Sequence, residues 1–482
     1  VRIPRLLSEA RQQRFPQMNE ESRQKLEALL NNDALTDEQF AVLIVAYCHS
    51  SPIIHKSFGA ISDYTELLLP SNILAKDGFI DKLNADEYIS DEDYRSPELI
   101  GWLYQFYISE RKDEVFAKKS KFEADEIPAA TQIFTPNWIV KYMVQNTVGR
   151  IYLDNNPYTD IKKEMQYLVE PVEPTPADAI YQFENIHDLT CADLACGSGH
   201  ILNECFDLLY QIYIEEGYNR RKAVEDIFRY NLTGIDIDTR AKQLATFALL
   251  MKACQKDASF VDAHCMPRVL DMPVPYAEAM GKTFNTPDEE RTFIRSVLSE
   301  YIMGGNAEVL DELTDAVSLM NDAQTLGSIM KFTISERTRN VIAVRTAEYE
   351  QQEVLSEDIR KILPYMRIIL TLTQNYAVLV MNPPYMGGGN MNEVLGKYVK
   401  ENYENSKADL FSVFMDLAID RLKQEGKYGM INMQSWMFLS SFEKLRKKVL
   451  DNYQIDSMLH LGPRTFDELS GEVVQNTAFV IS

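Results

Sequence analysis

Apolar and polar positions fall into two textures along the chain. From residue 1 to about 125 the apolar residues recur at helical spacing. Leu99, Ile100, Leu103, Phe106 and Tyr107 mark one helix face, and Ser96-Pro97-Glu98 supplies an N-cap followed by proline at the first helical position. Thr36-Asp37-Glu38-Gln39 fits a capping box ahead of the apolar run Phe40 to Tyr47. From about residue 126 the texture changes. Short apolar runs at Leu189–Leu194, Leu232–Ile237, Arg268–Leu270, Ala377–Met381, Tyr428–Asn432, Ile455–Leu461 and Val473–Ile481 alternate with helical stretches. That alternation predicts an α/β fold with a doubly wound sheet.

These textures predict an N-terminal helical domain over 1–125 and a second domain over 126–482. Two stretches interrupt the second. Residues 154–186 are rich in proline and acid and read as a long loop, whereas 275–365 are acidic, lack strand alternation and read as a helical insertion.

Composition adds three constraints. At 482 residues and 45% hydrophobic content, the chain can bury a sizeable core. No run of eighteen apolar residues occurs and the N-terminus has no signal-like segment, so a soluble, cytoplasmic protein without membrane contact is expected. The six cysteines are scattered, with no CxxC pair and no histidine at ligand spacing, which predicts reduced thiols and no metal site. The formal net charge of −23 argues against this chain gripping a phosphate backbone unaided. It starts without Met and stops inside the apolar run Phe479-Val480-Ile481-Ser482, as a fragment of a longer protein would.

Three motifs carry chemistry. Asn382-Pro383-Pro384-Tyr385 directly follows the apolar run that ends at Met381. An exocyclic amine on a nucleobase is a poor nucleophile, because its lone pair is delocalised into the ring. Two acceptors on its hydrogens draw that lone pair out toward a sulfonium methyl group. Asn382 offers a side-chain carbonyl and Pro383 a backbone carbonyl, while the prolines stiffen the turn. Tyr385 offers a face for a base turned out of the helix. A plain strand followed by a proline-rich turn is the blander reading of the same residues.

The second motif, Asp193-Leu194-Ala195-Cys196-Gly197-Ser198-Gly199, follows another strand-like run. Gly197 and Gly199 allow a sharp turn and a close backbone approach to a ligand. A dinucleotide fingerprint would need a further glycine at 202, which is leucine, so a pyrophosphate cradle is disfavoured. A glycine pair after an acid suits a zwitterion such as the methionine part of S-adenosylmethionine. Third, Asp236 ends the next strand, where an acid can chelate both ribose hydroxyls, and Ile237 can lie against an adenine ring. Asp238 reads equally as a helix cap.

With these motifs in this order, the sequence resembles the gamma-ordered amino-methyltransferases of DNA, similar to type I modification and type IIG enzymes. It resembles more closely the PglX-like adenine methyltransferases of BREX phage-defence systems. The runs Asn382 to Gly388, Ser435-Trp436-Met437-Phe438-Leu439, Ser440 to Arg446, His460-Leu461-Gly462 and Gly471 to Gln475 carry that closer likeness, which spans most of 95–482. The resemblance implies a Rossmann-like, S-adenosylmethionine-dependent methyltransferase sheet. It implies that Phe134-Thr135-Pro136-Asn137 contacts the methionine end of the cofactor, and that Asp193, Ala195, Gly197, Gly199, Asp236 and Ile237 line the rest of the cofactor site. Asn382 to Tyr385 would form the catalytic loop, with Asp409-Leu410-Phe411 close by. Double-stranded DNA is the implied partner, read by a C-terminal recognition region absent here, with other phage-defence proteins as further partners. Asp271 is a candidate for the acid on the cofactor adenine, and Phe479 for a second aromatic against the base.

Rival functions fit parts of the same pattern. Asp93, Glu110 and Lys112 imitate a nuclease triad, although Glu110 and Lys112 end a helical segment. The Asn-Pro-Pro-Tyr geometry also serves methylation of cytosine N4 or of a protein glutamine amide. A portion of a type IIG-like restriction-modification enzyme and a catalytically dead scaffold for defence proteins are compatible with the sequence as well.

Overall fold

The computed structural model describes residues 3–12, 18, 20–30, 32–59, 69–85, 90, 92–118, 120–131, 135–262, 265–463, 465 and 475–482. Two compact units make up the chain: Val1–Ile100 with Thr246–His264, and Gly101–Ala245 with Cys265–Ser482.

The first unit is helical, with Ile3–Arg11, Glu20–Leu29, Thr36–Ser50 and Pro52–Phe58 among its elements. Leu7, Ala10, Leu26 and Leu43 form a small core there. The expected capping box does not form. Thr36 is already helical, the N-cap position falls on Leu35, and no side chain caps it. Gln39 turns inward instead, donating its amide to the carbonyls of Leu29 and Asn32. The buried Gln39 side chain takes these two carbonyls in place of the local cap.

The second unit is built on a seven-stranded sheet. β1 (Cys191–Asp193), β2 (Leu232–Asp236), β3 (Arg268–Asp271), β4 (Tyr376–Met381), β5 (Leu422–Met433), β6 (Ile455–Pro463) and β7 (Gln475–Ile481) lie in the order β3-β2-β1-β4-β5-β7-β6. β1 to β5 pair in parallel, and β7 inserts antiparallel between β5 and β6. This is the Rossmann-like α/β sheet that the alternating runs predict; Val473 and Val474 of the last run lie outside the described residues. β4 is central and buried at all six positions, which explains its unbroken apolar texture. The strand order reverses between β1 and β4, so a crevice opens there at the carboxyl ends of the strands.

Residues 154–186 begin with the end of the helix Arg150–Asn155 and otherwise carry only short 3-10 turns, while 275–365 include the helices Pro287–Ile302, Ala307–Leu319 and Glu336–Glu350 and the start of Glu357–Thr373. The helix Leu99–Ala117 departs from its expected face. Tyr107 is 70% exposed, while Ile108 and Val115 are buried. Spacing alone located the helix but not its inner side, because apolar residues nearly encircle it. Among the described residues no helix is long and apolar enough to cross a membrane.

Candidate active site at the switch point

β1 ends at Asp193, and the chain turns through Ala195 to Gly199 into the helix His200–Glu215. Gly197 and Gly199 both have positive φ, at 51° and 84°. A Cβ on Gly199 would also stand 2.7 Å from the Cβ of Ala245, so this turn admits only glycine. The Ala195 N–H donates to Asp193 Oδ1 at 3.0 Å.

Asp236, at the end of β2, accepts the Gly197 N–H on Oδ2 at 2.7 Å and the Asp238 N–H on Oδ1 at 2.9 Å. Burial outweighs these bonds and pushes its carboxyl up to about 6. Burial likewise holds Asp193 well above the usual carboxylate range, against the pull of the Ala195 N–H, with the neighbouring charge of Asp236 adding to the rise. Asp238 caps the helix Thr239–Lys256 through the Arg240 N–H, and its other oxygen accepts the phenol of Tyr104.

β4 ends at Met381, which delivers Asn382 to the crevice. The Asn382 Nδ2 donates to Thr135 Oγ1 at 2.9 Å, and the Tyr385 phenol lies 3.0 Å from Asn382 Oδ1 and 3.2 Å from the Ile431 carbonyl. The Tyr385 ring meets Phe411 edge-on, with centroids 6.2 Å apart. The loop beyond is latched to the head of the helix Leu410–Arg421. Asp409 Oδ1 accepts from the Met386 N–H at 2.9 Å and from the Phe411 N–H at 3.2 Å, and the Leu410 N–H returns to the Met386 carbonyl. Burial pushes the Asp409 carboxyl up to about 6.

These groups face one cleft, which encloses about 1100 Å³ of empty space including its open mouth. Thr135, Asp193, Ala195, Gly197, Asp236, Ile237, Asn382 and Pro384 all line it. The other sequence candidates do not. Pro136 takes the N-cap position of the helix Asn137–Val144, Gly199 packs on Ala245, Pro383 is buried, and Tyr385 sits behind Asn382 as its hydrogen-bond partner. Phe134 lies outside the described residues.

Sequence reasoning missed a whole wall of the cleft. Thr325 to Ile329, from within the 275–365 stretch, line it, with the Ser328 hydroxyl donating to the Leu194 carbonyl at 2.6 Å. Gly327 has φ 55° and lies against Ile237. Gln105 and Ile127 line the cleft as well. No local motif marks these residues, and only the tertiary path of the chain brings them here.

Two candidates are corrected. Phe479 is completely buried, tilted against Trp436 with ring centroids 5.3 Å apart, because β7 is paired on both edges and this position faces the core. Asp271 does not line the cleft and pairs with Lys242 at 3.4 Å. Glu110 and Lys112 lie on the helix Leu99–Ala117, and Asp93 accepts hydrogen bonds from Ser90. Among the described residues no group of three or more His, Cys, Asp or Glu side chains could hold a metal ion.

A family described as Eco57I restriction-modification methylase matches residues 230–466. The adenine-specific methyltransferase BrxX of Escherichia coli O9:H4 (strain HS) is 39% identical over 464 residues, covering 91% of this chain and 37% of that protein. The adenine-specific methyltransferase PglX of Lacticaseibacillus casei (strain Zhang) is 35% identical over 477 residues, covering 95% of this chain and 38% of that protein. Over the length it spans, this chain is similar to these PglX-like relatives. It spans little more than a third of the length of either relative. Among solved structures, a DrdV–DNA complex is similar over 99% of this chain and 40% of that one, at 13% identity and a TM-score of 0.44. The PglX-like match covers the glycine turn, Asp236 and the Asn-Pro-Pro-Tyr loop together.

Proposed function

We propose that this chain is the catalytic portion of a DNA methyltransferase that moves a methyl group from S-adenosylmethionine to adenine N6, in a BREX-type phage-defence or restriction-modification system. One observation carries the reading: Asn382, at the end of β4, opens onto the same cleft as Gly197 and Asp236. A donor site and an amine-gripping carboxamide side by side make a transfer site. The names of the PglX-like relatives support adenine as the acceptor base.

The residues fit the cofactor by the chemistry of their donor set. Asp236 is half-buried at the cleft, where burial raises its carboxyl to about 6 although the backbone N–H groups of Asp238, Gly197 and Ile237 hold it down, so its ionised form has use for further donors. Two ribose hydroxyls supply the missing donors. Asp193 offers a carboxyl group that a nearby ammonium would draw toward its ionised form, Ile237 and Leu326 offer apolar surface to a purine, and the cleft has the volume for a nucleoside with its amino-acid tail. When bound, S-adenosylmethionine supplies an electrophilic methyl group on a positively charged sulfur.

The rest of the chemistry belongs to the protein. Asn382 Oδ1 and the Pro383 carbonyl accept the two hydrogens of the adenine amine and turn its lone pair out of the ring. The amine nitrogen then takes the methyl group, and its surplus proton passes to solvent. Tyr385, which does not line the cleft, backs Asn382 through its phenol and leaves the stacking face for a flipped base to other residues. Thr135, Pro136, Ala195 and Gly199 complete the cofactor side by direct contact or by shaping the turns that make it. With a formal charge of −23, this portion relies on phosphate contacts made elsewhere in the longer protein or by its defence partners.

The test is a tritiated-methyl transfer assay on the full-length protein, offering duplex DNA beside protein acceptors, with nucleoside analysis of the product. N6-methyladenine is the expected product. Label in protein, label in cytosine N4, or no label from a folded protein overturns the assignment.

A further inference from the structure

The cleft wall Thr325 to Ile329 stands against Ile237, the residue that the methyltransferase reading gives to the purine of the donor. Gly327, at φ 55°, comes so close that a Cβ on it would sit 3.6 Å from Ile237 Cδ1. A flat ligand resting on Ile237 therefore borders this wall. It does not border Asp271 at the end of β3, which pairs with Lys242 and lies off the cleft.

The polar groups here differ in what they can still offer. Asp193, Asp236 and Asp238 are the carboxylates that line the cleft among the described residues. On the reading above, the first two face the ammonium and the ribose. Asp238 accepts the Arg240 N–H on Oδ1 and the Tyr104 phenol on Oδ2, which holds it as a helix cap. Within the wall, Ser328 is buried and its hydroxyl proton goes to the Leu194 carbonyl. Leu326, Gly327 and Ile329 bring no polar side chain. Thr325 is only half-buried and lines the cleft, and its hydroxyl has no hydrogen-bond partner among the described residues.

We propose that Thr325 determines which purine the donor site accepts, by meeting the purine edge with a neutral hydroxyl and not with a carboxylate. This rests on the methyltransferase reading above and extends it to the class of donor. An ionised carboxylate only accepts hydrogen bonds, so it holds the amino group of adenine and repels the carbonyl of a 6-oxopurine. A hydroxyl rotates to donate or to accept. It serves the amino group and ring nitrogen of adenine, and equally the carbonyl and ring N–H of hypoxanthine. The donor site is thus tolerant at that edge, and S-inosyl compounds are ligands of it beside S-adenosyl ones.

The experiment is a calorimetric titration of the full-length protein with S-adenosylhomocysteine and with S-inosylhomocysteine. Neither carries a transferable methyl group, so the readout is independent of catalysis. Wild type binds the two within about tenfold of each other. Thr325→Val weakens both by about three- to tenfold, as loss of one shared hydrogen bond should. Thr325→Ser, which keeps the hydroxyl, keeps both affinities. Thr325→Asp puts an acceptor-only group in the wall and shifts the ratio toward the adenosyl compound by about tenfold or more.

A wild type that prefers S-adenosylhomocysteine by more than about tenfold sinks this proposal alone. So does a Thr325→Val protein that binds both compounds as wild type does, or that loses affinity for only one of them. A ratio unmoved in Thr325→Asp overturns it too, as does one that moves in Asp238→Asn and not in Thr325→Asp. A folded wild type that binds neither compound takes the donor site of the methyltransferase reading down as well. Thermal midpoints of the variants within a few degrees of wild type separate a lost contact from a lost fold.

Discussion

The Gly197 N–H lies 2.7 Å from Oδ2 of Asp236, which ties the turn after β1 to the end of β2. One carboxylate thus shapes the glycine turn and faces the cleft. Asp236→Ala is expected to weaken S-adenosylmethionine binding by about two orders of magnitude, since a charge-assisted pair of hydrogen bonds is lost. Calorimetric titration checks this, and near-normal affinity would remove Asp236 from the cofactor site.

The same carboxylate predicts a pH dependence. On the proposed reading ribose hydroxyls donate to the ionised form, and burial has raised that group to about 6. Cofactor affinity should be flat above pH 7 and fall as pH drops through about 6, when the proton occupies the acceptor. Asp236→Asn should be weak throughout and lose this slope. Titrations from pH 5 to 8 measure both.

Asn382→Ala should abolish methyl transfer while donor affinity stays within about threefold of wild type, because the lost group acts on the acceptor amine and not on the donor. The paired readout is a transfer assay and a donor titration on one preparation. Substantial transfer by this variant would dismiss Asn382 as the amine's partner.

How much of the fold and the site was legible in the sequence depended on the range of the interaction. The seven strands were visible because each buried run is local. Gly197, Asp236 and Asn382 were visible because turn chemistry at strand ends leaves a residue-type signature. Thr36 failed as a cap because the Gln39 amide found carbonyls elsewhere in the chain. Phe479 looked available as an aromatic at the end of the chain and is sealed between β5 and β6. The wall Thr325–Ile329 carried no signal at all, since lining a distant cleft imposes no pattern on neighbouring residues.

Asp409 latches the Asn-Pro-Pro-Tyr loop, and its two functions separate by substitution. Asp409→Ala loses a helix cap and the partner of the Met386 N–H, and should destabilise the fold by about 1–3 kcal/mol. Asp409→Asn keeps an acceptor without the buried charge and should match or exceed wild-type stability at pH 7. The carboxyl sits at about 6 in the fold and near 4 in the unfolded chain, so the folded state holds the extra proton between those values. Wild-type stability from this group therefore rises as pH falls from about 6 to 4, and the advantage of Asp409→Asn should vanish there. Chemical denaturation at pH 7 and pH 4.5 is the check.

Gly199→Ala should lower the thermal midpoint by several degrees, because the added methyl meets the Ala245 side chain at 2.7 Å and its backbone at 2.9 Å, at a φ of 84° that alanine disfavours. An unshifted midpoint would mean that the turn relaxes freely.

The contribution of Thr325–Ile329 to the cleft changes how the surrounding acidic stretch is to be treated in any redesign. It has the look of dispensable padding, a place to trim for a smaller enzyme or to splice in a tag. Excising it would unroof the cleft and strip a partner from the Leu194 carbonyl, leaving a sheet with no compartment to work in.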